Sequence, residues 1–240
     1  GLYGLLSTMN LMGRSTTLNI YAPSKYREIL FSHLLDFDII LGFNIDFVAL
    51  DSGDPVKILD DKHLTVTSFP LRHRIPSYGF LFREKAADRN IVKEAIEKFS
   101  IPVARIPAIK KGEDFILENG EVIRNDEITV AGPVPSSYAY CSDTMYFKRL
   151  SSFVRNVDLL YHEATFEAGL GELARITGHS TSTDAARTAF EAGAGTLIIG
   201  HFSSRHKDVQ PLVREARSIF PRTIAAVDGT TYDVGNIDVP

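Results

Sequence analysis

Four predicted strands each run into an imidazole or a carboxylate at their carboxyl end. The strands and the residues that follow them are 64–68 with His73, 138–141 with Asp143, 158–161 with His162 and Glu163, and 197–199 with His201. Because open α/β sheets carry their sites at the carboxyl ends of the strands, we expect these side chains to gather at one edge. Imidazole and carboxylate without thiolate suit zinc or a similar divalent ion, and an aspartate can bridge two ions through its two oxygens. The pattern predicts a metal site.

Each of these residues also has a purely structural explanation. Asp143 could be a turn or helix-cap residue, and His73 could be a surface histidine. His162 and Glu163 could form a polar strand end that faces solvent. The run Gly-His-Ser-Thr at 178–181 precedes an alanine-rich predicted helix, which is typical of N-cap chemistry. The coincidence of four strand ends favours a shared site, but it does not identify a reaction.

Alternating strands and helices must position this edge. Apolar periodicity and turn residues predict further strands at 18–21, 38–41, 47–50 and 224–227, and helices from Ser24, at 183–192 and at 209–220. In the first helix, Ser24 is the predicted N-cap, and Ile29, Leu30, Leu34 and Leu35 form the predicted apolar face. The alternation indicates an α/β fold.

Residues from about 83 to 135 differ in character from the rest. Their charge density is higher, a helix is predicted at 90–99, and a proline-spaced stretch at 101–107 is followed by Lys110 and Lys111. We interpret this stretch as an inserted or projecting element outside the main core.

The composition sets outer limits on function. The 240 residues fit one globular unit, and no apolar run approaches the roughly 18 residues that a membrane span needs. The chain has 26 Lys and Arg residues and 30 Asp and Glu residues, which gives a net charge of −4. This charge excludes a uniformly basic binder of duplex DNA, so nucleic acid could be bound only by a local basic patch. A single cysteine, Cys141, excludes an intrachain disulfide and a thiolate zinc cluster. Without a visible signal peptide, the cytoplasm is the expected compartment.

Five ordered strings resemble the motifs of ribonuclease Z, the tRNA 3′-processing endonuclease family of the metallo-β-lactamase superfamily. They are PLRHRIPSYGF at 70–80, AYCSDT at 139–144, HEATF at 162–166, GHST at 178–181 and GHFSSR at 200–205. The resemblance runs over essentially the whole chain. It implies the αββα sandwich of that superfamily, here a single domain spanning 1–240 with a projecting arm.

The resemblance also implies a role for each site residue. His73 matches a histidine ligand of one metal ion, Asp143 the aspartate that bridges two ions, and His201 the histidine ligand of the other ion. His179 matches the catalytic histidine that protonates the leaving 3′-oxygen, and Glu163 would orient it. The implied cofactor is two Zn²⁺ ions, and the implied reaction is removal of the 3′ trailer from precursor tRNA.

One family motif has no counterpart in the sequence. His-x-His-x-Asp-His, which supplies most of the histidine ligands, is expected immediately before Gly1, so we expect this chain to be a fragment that lacks the first strands. By itself it should bind metal weakly and leave RNA uncut, whereas the parent protein should be active. The histidines without a role are His33, in a predicted helix, and His63 and His206, each beside a lysine and therefore predicted to be exposed.

The segment at about 83–135 is expected to contain the tRNA-binding arm, with Arg105, Lys110 and Lys111 contacting phosphates; a solvated charged hairpin is the alternative. The family further implies a homodimer, with no membrane partner. Two other functions stay open. One is a phosphodiesterase of the same fold that acts on small diesters, and the other is a non-catalytic RNA-binding relative that has lost its metal motif.

Overall fold

A computed structural model describes residues 1–237 of the chain. The strands are β1 (Leu18–Ala22), β2 (Ile45–Ala49), β3 (Val56–Asp60), β4 (Leu64–Pro70), β5 (Tyr78–Glu84), β6 (Asn90–Ile91), β7 (Phe115–Ile116), β8 (Val122–Ile123), β9 (Thr129–Val130), β10 (Ser137–Cys141), β11 (Leu159–Glu163), β12 (Thr196–Gly200) and β13 (Thr223–Ala225). The helices are α1 (Leu2–Leu11), α2 (Ser24–Asp36), α3 (Lys93–Lys98), α4 (Ile106–Lys110), α5 (Asn125–Ile128), α6 (Leu150–Phe153), α7 (Gly171–Thr177), α8 (Ser182–Ala192) and α9 (Gln210–Arg217). Short 3₁₀ turns span Val103–Arg105 and Ala168–Leu170.

Seven strands form one mixed sheet in the order β13-β12-β11-β10-β5-β4-β3. Strands β10 to β13 are parallel, whereas β5 is antiparallel to both β10 and β4. Because β5 is antiparallel to both of its neighbours, β4 runs in the same direction as β10, β11 and β12. The carboxyl ends of these four strands therefore lie at one edge, as their sequences predict.

The main core lies between this sheet and helices α8 and α9. Alanines at 185, 186, 189 and 192 give α8 a small-residue face that packs against buried residues such as Leu160 and Ile199. A capping box fixes the start of α8, because the Thr181 hydroxyl accepts from the backbone N–H of Asp184 and the Asp184 carboxylate accepts in return. Such a cap contributes about 1 kcal/mol. The N-cap explanation of the GHST run is therefore correct for Thr181.

The first fifty residues form a unit with its own small core. Strands β1 and β2 pair in parallel, and Leu6 of α1, Leu30 of α2 and Phe43 form the buried cluster. The predicted helix is present, but its N-cap is Pro23 and no side chain caps it, so the prediction for Ser24 is wrong. The apolar face is also partly wrong, because Ile29 is 51% exposed and Leu35 is 76% exposed.

The strand predicted at 38–41 is likewise absent. Asp38 adopts a left-handed conformation with φ of +50° and turns the chain out of α2. A residue in that conformation cannot continue an extended strand.

Residues 83–135, called the inserted segment below, contain β6 to β9 and α3 to α5. Their apolar side chains form a separate cluster, which consists of Ala95, Ile101, Ile109, Phe115, Ile123 and Ile128. The amide of Asn125 holds the segment together by donating to the carbonyls of Ile109 and Glu113, at 2.7 and 2.8 Å. The helix predicted at 90–99 is shorter, because Asn90 and Ile91 pair with β9 as a strand. Across residues 1–237, no helix combines the length and the apolar character that a membrane crossing requires.

Candidate active site

The structure brings the five predicted site residues together at the carboxyl edge of the large sheet. Potential ligand atoms of Asp143, Glu163, His179 and His201 all lie within 4.8 Å of one another. His73 lies beside them, with its ring centroid 5.0 Å from that of His179. Four of these residues follow β4, β10 and β12 or end β11, and His179 lies in the connection between α7 and α8.

Hydrogen bonds through Thr144 tie the loops of this edge to each other. Its hydroxyl accepts from the backbone N–H of Arg72 at 3.1 Å, and its carbonyl accepts from the hydroxyl of Ser180 at 2.6 Å. The backbone N–H of Met145 donates to the Arg72 carbonyl at 2.7 Å. The loops that carry His73, Asp143 and His179 are therefore fixed relative to one another.

Glu163 is fully buried and its carboxylate is saturated with donors. Oε1 accepts from the backbone N–H of Thr144 and from Nδ1 of His179, both at 2.8 Å. Oε2 accepts from the hydroxyl and the backbone N–H of Thr165, at 2.6 and 3.2 Å. A carboxylate has about four lone-pair sites, so little capacity remains for a metal ion. Glu163 therefore orients His179, and the interpretation of residues 162–163 as a solvent-facing strand end is wrong.

The ring of His73 is oriented by the backbone of the neighbouring loop. Its Nδ1–H donates to the carbonyl of Gly178 at 2.8 Å, which leaves the Nε2 lone pair free. Gly178 ends α7 with φ of +80°, and a Cβ there would lie 2.8 Å from Nδ1 of His73. Both the backbone conformation and the close approach require glycine at this position.

Asp143 and His201 fit a shared divalent ion. Nε2 of His201 lies 3.4 Å from Oδ1 of Asp143. Two donors about 2.0–2.2 Å from a tetrahedral zinc ion stand roughly 3.4 Å apart, so the observed spacing matches that of two ligands. His201 has a left-handed backbone with φ of +58°, a strained conformation that is common at functional sites. The donor set of imidazole and carboxylate suits zinc, and the one cysteine, Cys141, is buried in the core, which raises the pKa of its thiol.

The remaining histidines lie outside the site. His162 is fully buried and its Nδ1–H donates to the carbonyl of Glu163 at 2.7 Å; burial lowers its pKa and keeps it neutral. His33 lies in α2 as predicted, with its ring centroid 3.7 Å from that of Tyr3, and His63 is exposed as predicted. The prediction for His206 is wrong, because its ring is partly buried and Nε2 has no partner among the described residues.

No family model matches the chain. Ribonuclease Z of Bacteroides fragilis is 41% identical over 226 residues, which cover 94% of this chain and 74% of the relative. Ribonuclease Z of Porphyromonas gingivalis is 41% identical over 234 residues, covering 98% of this chain and 77% of the relative. The chain belongs to the ribonuclease Z family. The sequence-based identification of the family is confirmed, and so is the predicted enzyme class, because this family consists of metal-dependent endoribonucleases.

Solved structures agree on the fold. The short form of human tRNase Z matches with a TM-score of 0.62 and 21% identity over 98% of this chain and 73% of that one. A metallo-β-lactamase fold protein, YhfI from Bacillus subtilis, matches with a TM-score of 0.58 and 20% identity over 92% of this chain and 67% of that one. The predicted metallo-β-lactamase fold is confirmed for this member of the ribonuclease Z family.

The predicted RNA-binding residues lie in the inserted segment. Arg105 ends a 3₁₀ turn and is paired with Glu113 at 3.7 Å, both side chains being largely exposed. Lys110 is the last residue of α4, and the exposed Lys111 follows it. The three basic side chains therefore share one short stretch, separate in sequence from the five motif strings.

Sequence reasoning missed Thr165 and Gly178 as parts of the site. Thr165 contacts Glu163, and its hydroxyl oxygen lies 2.8 Å from Nδ1 of His201. Its place two residues after Glu163, inside the string HEATF, is the signal that could have singled it out.

Proposed function

We propose that the protein that contains this chain removes the 3′ trailer from precursor tRNA. Cleavage after the discriminator base would leave a 3′-hydroxyl on the tRNA and a 5′-phosphate on the trailer. The observation that carries this proposal is the buried, saturated carboxylate of Glu163, which holds His179 within reach of the Asp143–His201 pair. The names of the relatives and the order of the five strings support the choice of substrate.

In this proposal His73, Asp143 and His201 would hold zinc, and Asp143 would be the ligand that two ions share. The Nε2 atoms of His73 and His201 are the free ring nitrogens, because Nδ1 of each ring is engaged by Gly178 or by Thr165. Bound divalent ions lower the pKa of water and stabilise charge that develops on the phosphoryl oxygens. These three side chains contribute only part of the coordination of two ions.

His179 would supply the proton to the leaving 3′-oxygen. Its Nδ1–H donates to Glu163 at 2.8 Å, so Nε2 is the ring atom left to transfer a proton. The buried carboxylate stabilises the imidazolium that precedes transfer and fixes the ring in one orientation. In this proposal Glu163 would act through His179, because its carboxylate is buried and engaged by protein donors.

The inserted segment would serve as the arm that binds tRNA. A chain of net charge −4 can bind a polyanion only through local basic groups, and Arg105, Lys110 and Lys111 form such a group. The exposed Arg105–Glu113 pair contributes little to stability, so Arg105 can exchange its carboxylate partner for a phosphate at small cost. We further propose a homodimer and a cytoplasmic location.

Cleavage of two substrates tests this proposal. The natural protein, loaded with zinc, is given a precursor tRNA with a labelled 3′ trailer and, in parallel, a small chromogenic phosphodiester. A ribonuclease Z produces one cut after the discriminator base and prefers the precursor. Rapid hydrolysis of the diester with an intact precursor would instead indicate a phosphodiesterase for small substrates, and binding of the precursor without any hydrolysis would indicate a non-catalytic relative.

A further inference from the structure

Thr165 lies between the proposed metal ligand and the proposed proton-transfer pair. Its side chain is buried, and its hydroxyl oxygen lies 2.6 Å from Oε2 of Glu163, 2.8 Å from Nδ1 of His201 and 3.4 Å from Nδ1 of His179. The carbonyl of His201 is 3.1 Å from the same oxygen. One hydroxyl therefore contacts Glu163, His179 and His201.

The single proton of this hydroxyl determines which neighbouring groups accept a hydrogen bond from it and which donate one to it. A threonine hydroxyl has one proton to donate. The carboxylate of Glu163 and the carbonyl of His201 can only accept, so the Thr165 hydroxyl must donate its proton to one of these two oxygens. The shorter contact, at 2.6 Å, is with Oε2 of Glu163. The contact with Nδ1 of His201 must then be an N–H that donates to the hydroxyl. His201 therefore carries its proton on Nδ1 and its lone pair on Nε2.

We infer that Thr165 is a positioning residue that fixes His201 in the tautomer able to bind metal. The inference rests on the proposed role of His201 as a ligand. A free neutral imidazole favours the opposite tautomer, with its proton on Nε2, and without metal the Asp143 carboxylate, 3.4 Å from Nε2, favours that tautomer too. The contact with the Thr165 hydroxyl must therefore select Nδ1–H. The second partner of a ligating histidine fixes its tautomer and orientation.

The backbone of Thr165 reinforces this arrangement. Its carbonyl accepts from the backbone N–H of Ser203 at 3.1 Å, which ties down the chain just after the strained His201. Its backbone N–H donates to Glu163 at 3.2 Å. The orientation of His201 and that of the Glu163–His179 pair therefore depend on the same residue.

The direct test is the ring protonation of His201 in metal-free protein. Long-range ¹⁵N NMR spectra of histidine-labelled wild-type protein, recorded at mildly alkaline pH and assigned with His201→Gln, should show the proton on Nδ1. Thr165→Ser keeps the hydroxyl and should keep this signature. Thr165→Val keeps the shape and should move the proton to Nε2. A wild-type His201 protonated on Nε2, or a valine variant that keeps Nδ1–H, would overturn the inference.

Zinc titration of the natural protein gives a second readout. Loss of such a partner typically weakens metal affinity about 10–100-fold, so Thr165→Val should bind zinc that much more weakly while Thr165→Ser stays near wild type. Equal affinities in the two variants would contradict the inference. The tautomer is measured without metal or RNA, so it can be determined even if the precursor cleavage assay fails. A failed tautomer prediction likewise leaves the cleavage assay valid.

Discussion

The carboxyl edge of the large sheet and the inserted segment are held in place by different means. At the edge, both carboxylate oxygens of Glu163 have hydrogen-bond partners. The loops there are joined through Thr144 and follow strands that are buried in the main core. The inserted segment folds around a separate apolar cluster, and its basic residues Arg105 and Lys111 are exposed while Lys110 is partly buried. Chemistry on a phosphodiester needs positions fixed to a fraction of an ångström, whereas phosphate binding needs only charge within reach.

This difference predicts that the two regions fail in different ways. Changes at the edge should reduce hydrolysis of any substrate, large or small. Changes to the basic stretch of the inserted segment should affect only substrates long enough to reach it.

The largest effect is expected for Asp143→Ala in the natural protein. Without the carboxylate that the ions would share, bound zinc and cleavage of both substrates should be lost together, which metal analysis and the two assays measure. Turnover that survives without the carboxylate would refute the bridging role.

Glu163→Gln should come next. The amide NH2 of glutamine would face N–H and O–H groups that now donate to a carboxylate oxygen. His179 would then lose its orientation, and kcat should fall about 10²–10⁴-fold on both substrates. Leaving buried donors unpaired should lower the free energy of unfolding by about 1–3 kcal/mol, measured by urea denaturation. The matched control is Glu172→Gln, on the exposed surface of α7, which should leave both quantities near wild type. Equal behaviour of the two variants would remove Glu163 from the mechanism.

Gly178→Ala should have an intermediate effect. A methyl group at φ of +80° and 2.8 Å from Nδ1 of His73 must displace that ring. We expect a loss of about 1–2 kcal/mol in the free energy of unfolding and weaker zinc binding. Gly169→Ala is the control, because a Cβ there meets nothing within 4 Å. Unchanged zinc affinity in Gly178→Ala would show that His73 is not a ligand.

The smallest effect is expected in the inserted segment. Combined replacement of Arg105, Lys110 and Lys111 by Ala should raise KM for precursor tRNA roughly tenfold and reduce its dependence on salt, because fewer counterions are released on binding. Hydrolysis of the small diester should not change. A parallel loss on both substrates would show that the segment supports the site rather than the RNA.

The sequence predicted the edge well because its strands are short apolar runs with clear ends. Those predicted at 138–141, 158–161 and 197–199 correspond to β10, β11 and β12 within two residues. Strand β3 was missed because it lies at the sheet edge with mostly exposed side chains and no alternating pattern. Strand β5 was missed because its identity depends on pairing with β4 and β10, which local sequence does not report.

The hydrogen bonds of the site were less accessible than its residues. The family resemblance pointed to Glu163 and His179, but the contact between Thr165 and His201 joins residues 36 positions apart and depends on the register of β11 against β12. His206 shows the opposite error, since a neighbouring lysine suggested exposure for a ring that the fold partly buries. Long-range packing decides both cases.

Zinc anomalous diffraction from crystals of the natural protein tests the central claim most directly. The proposal predicts anomalous density about 2.0–2.2 Å from a carboxylate oxygen of Asp143 and from Nε2 of His201, with Nε2 of His73 on a second ion that shares Asp143. Glu163 and His179 should remain hydrogen-bonded to each other and off the metal. Zinc coordinated by Glu163, or absent from Asp143 and His201 in fully active crystals, would contradict the claim.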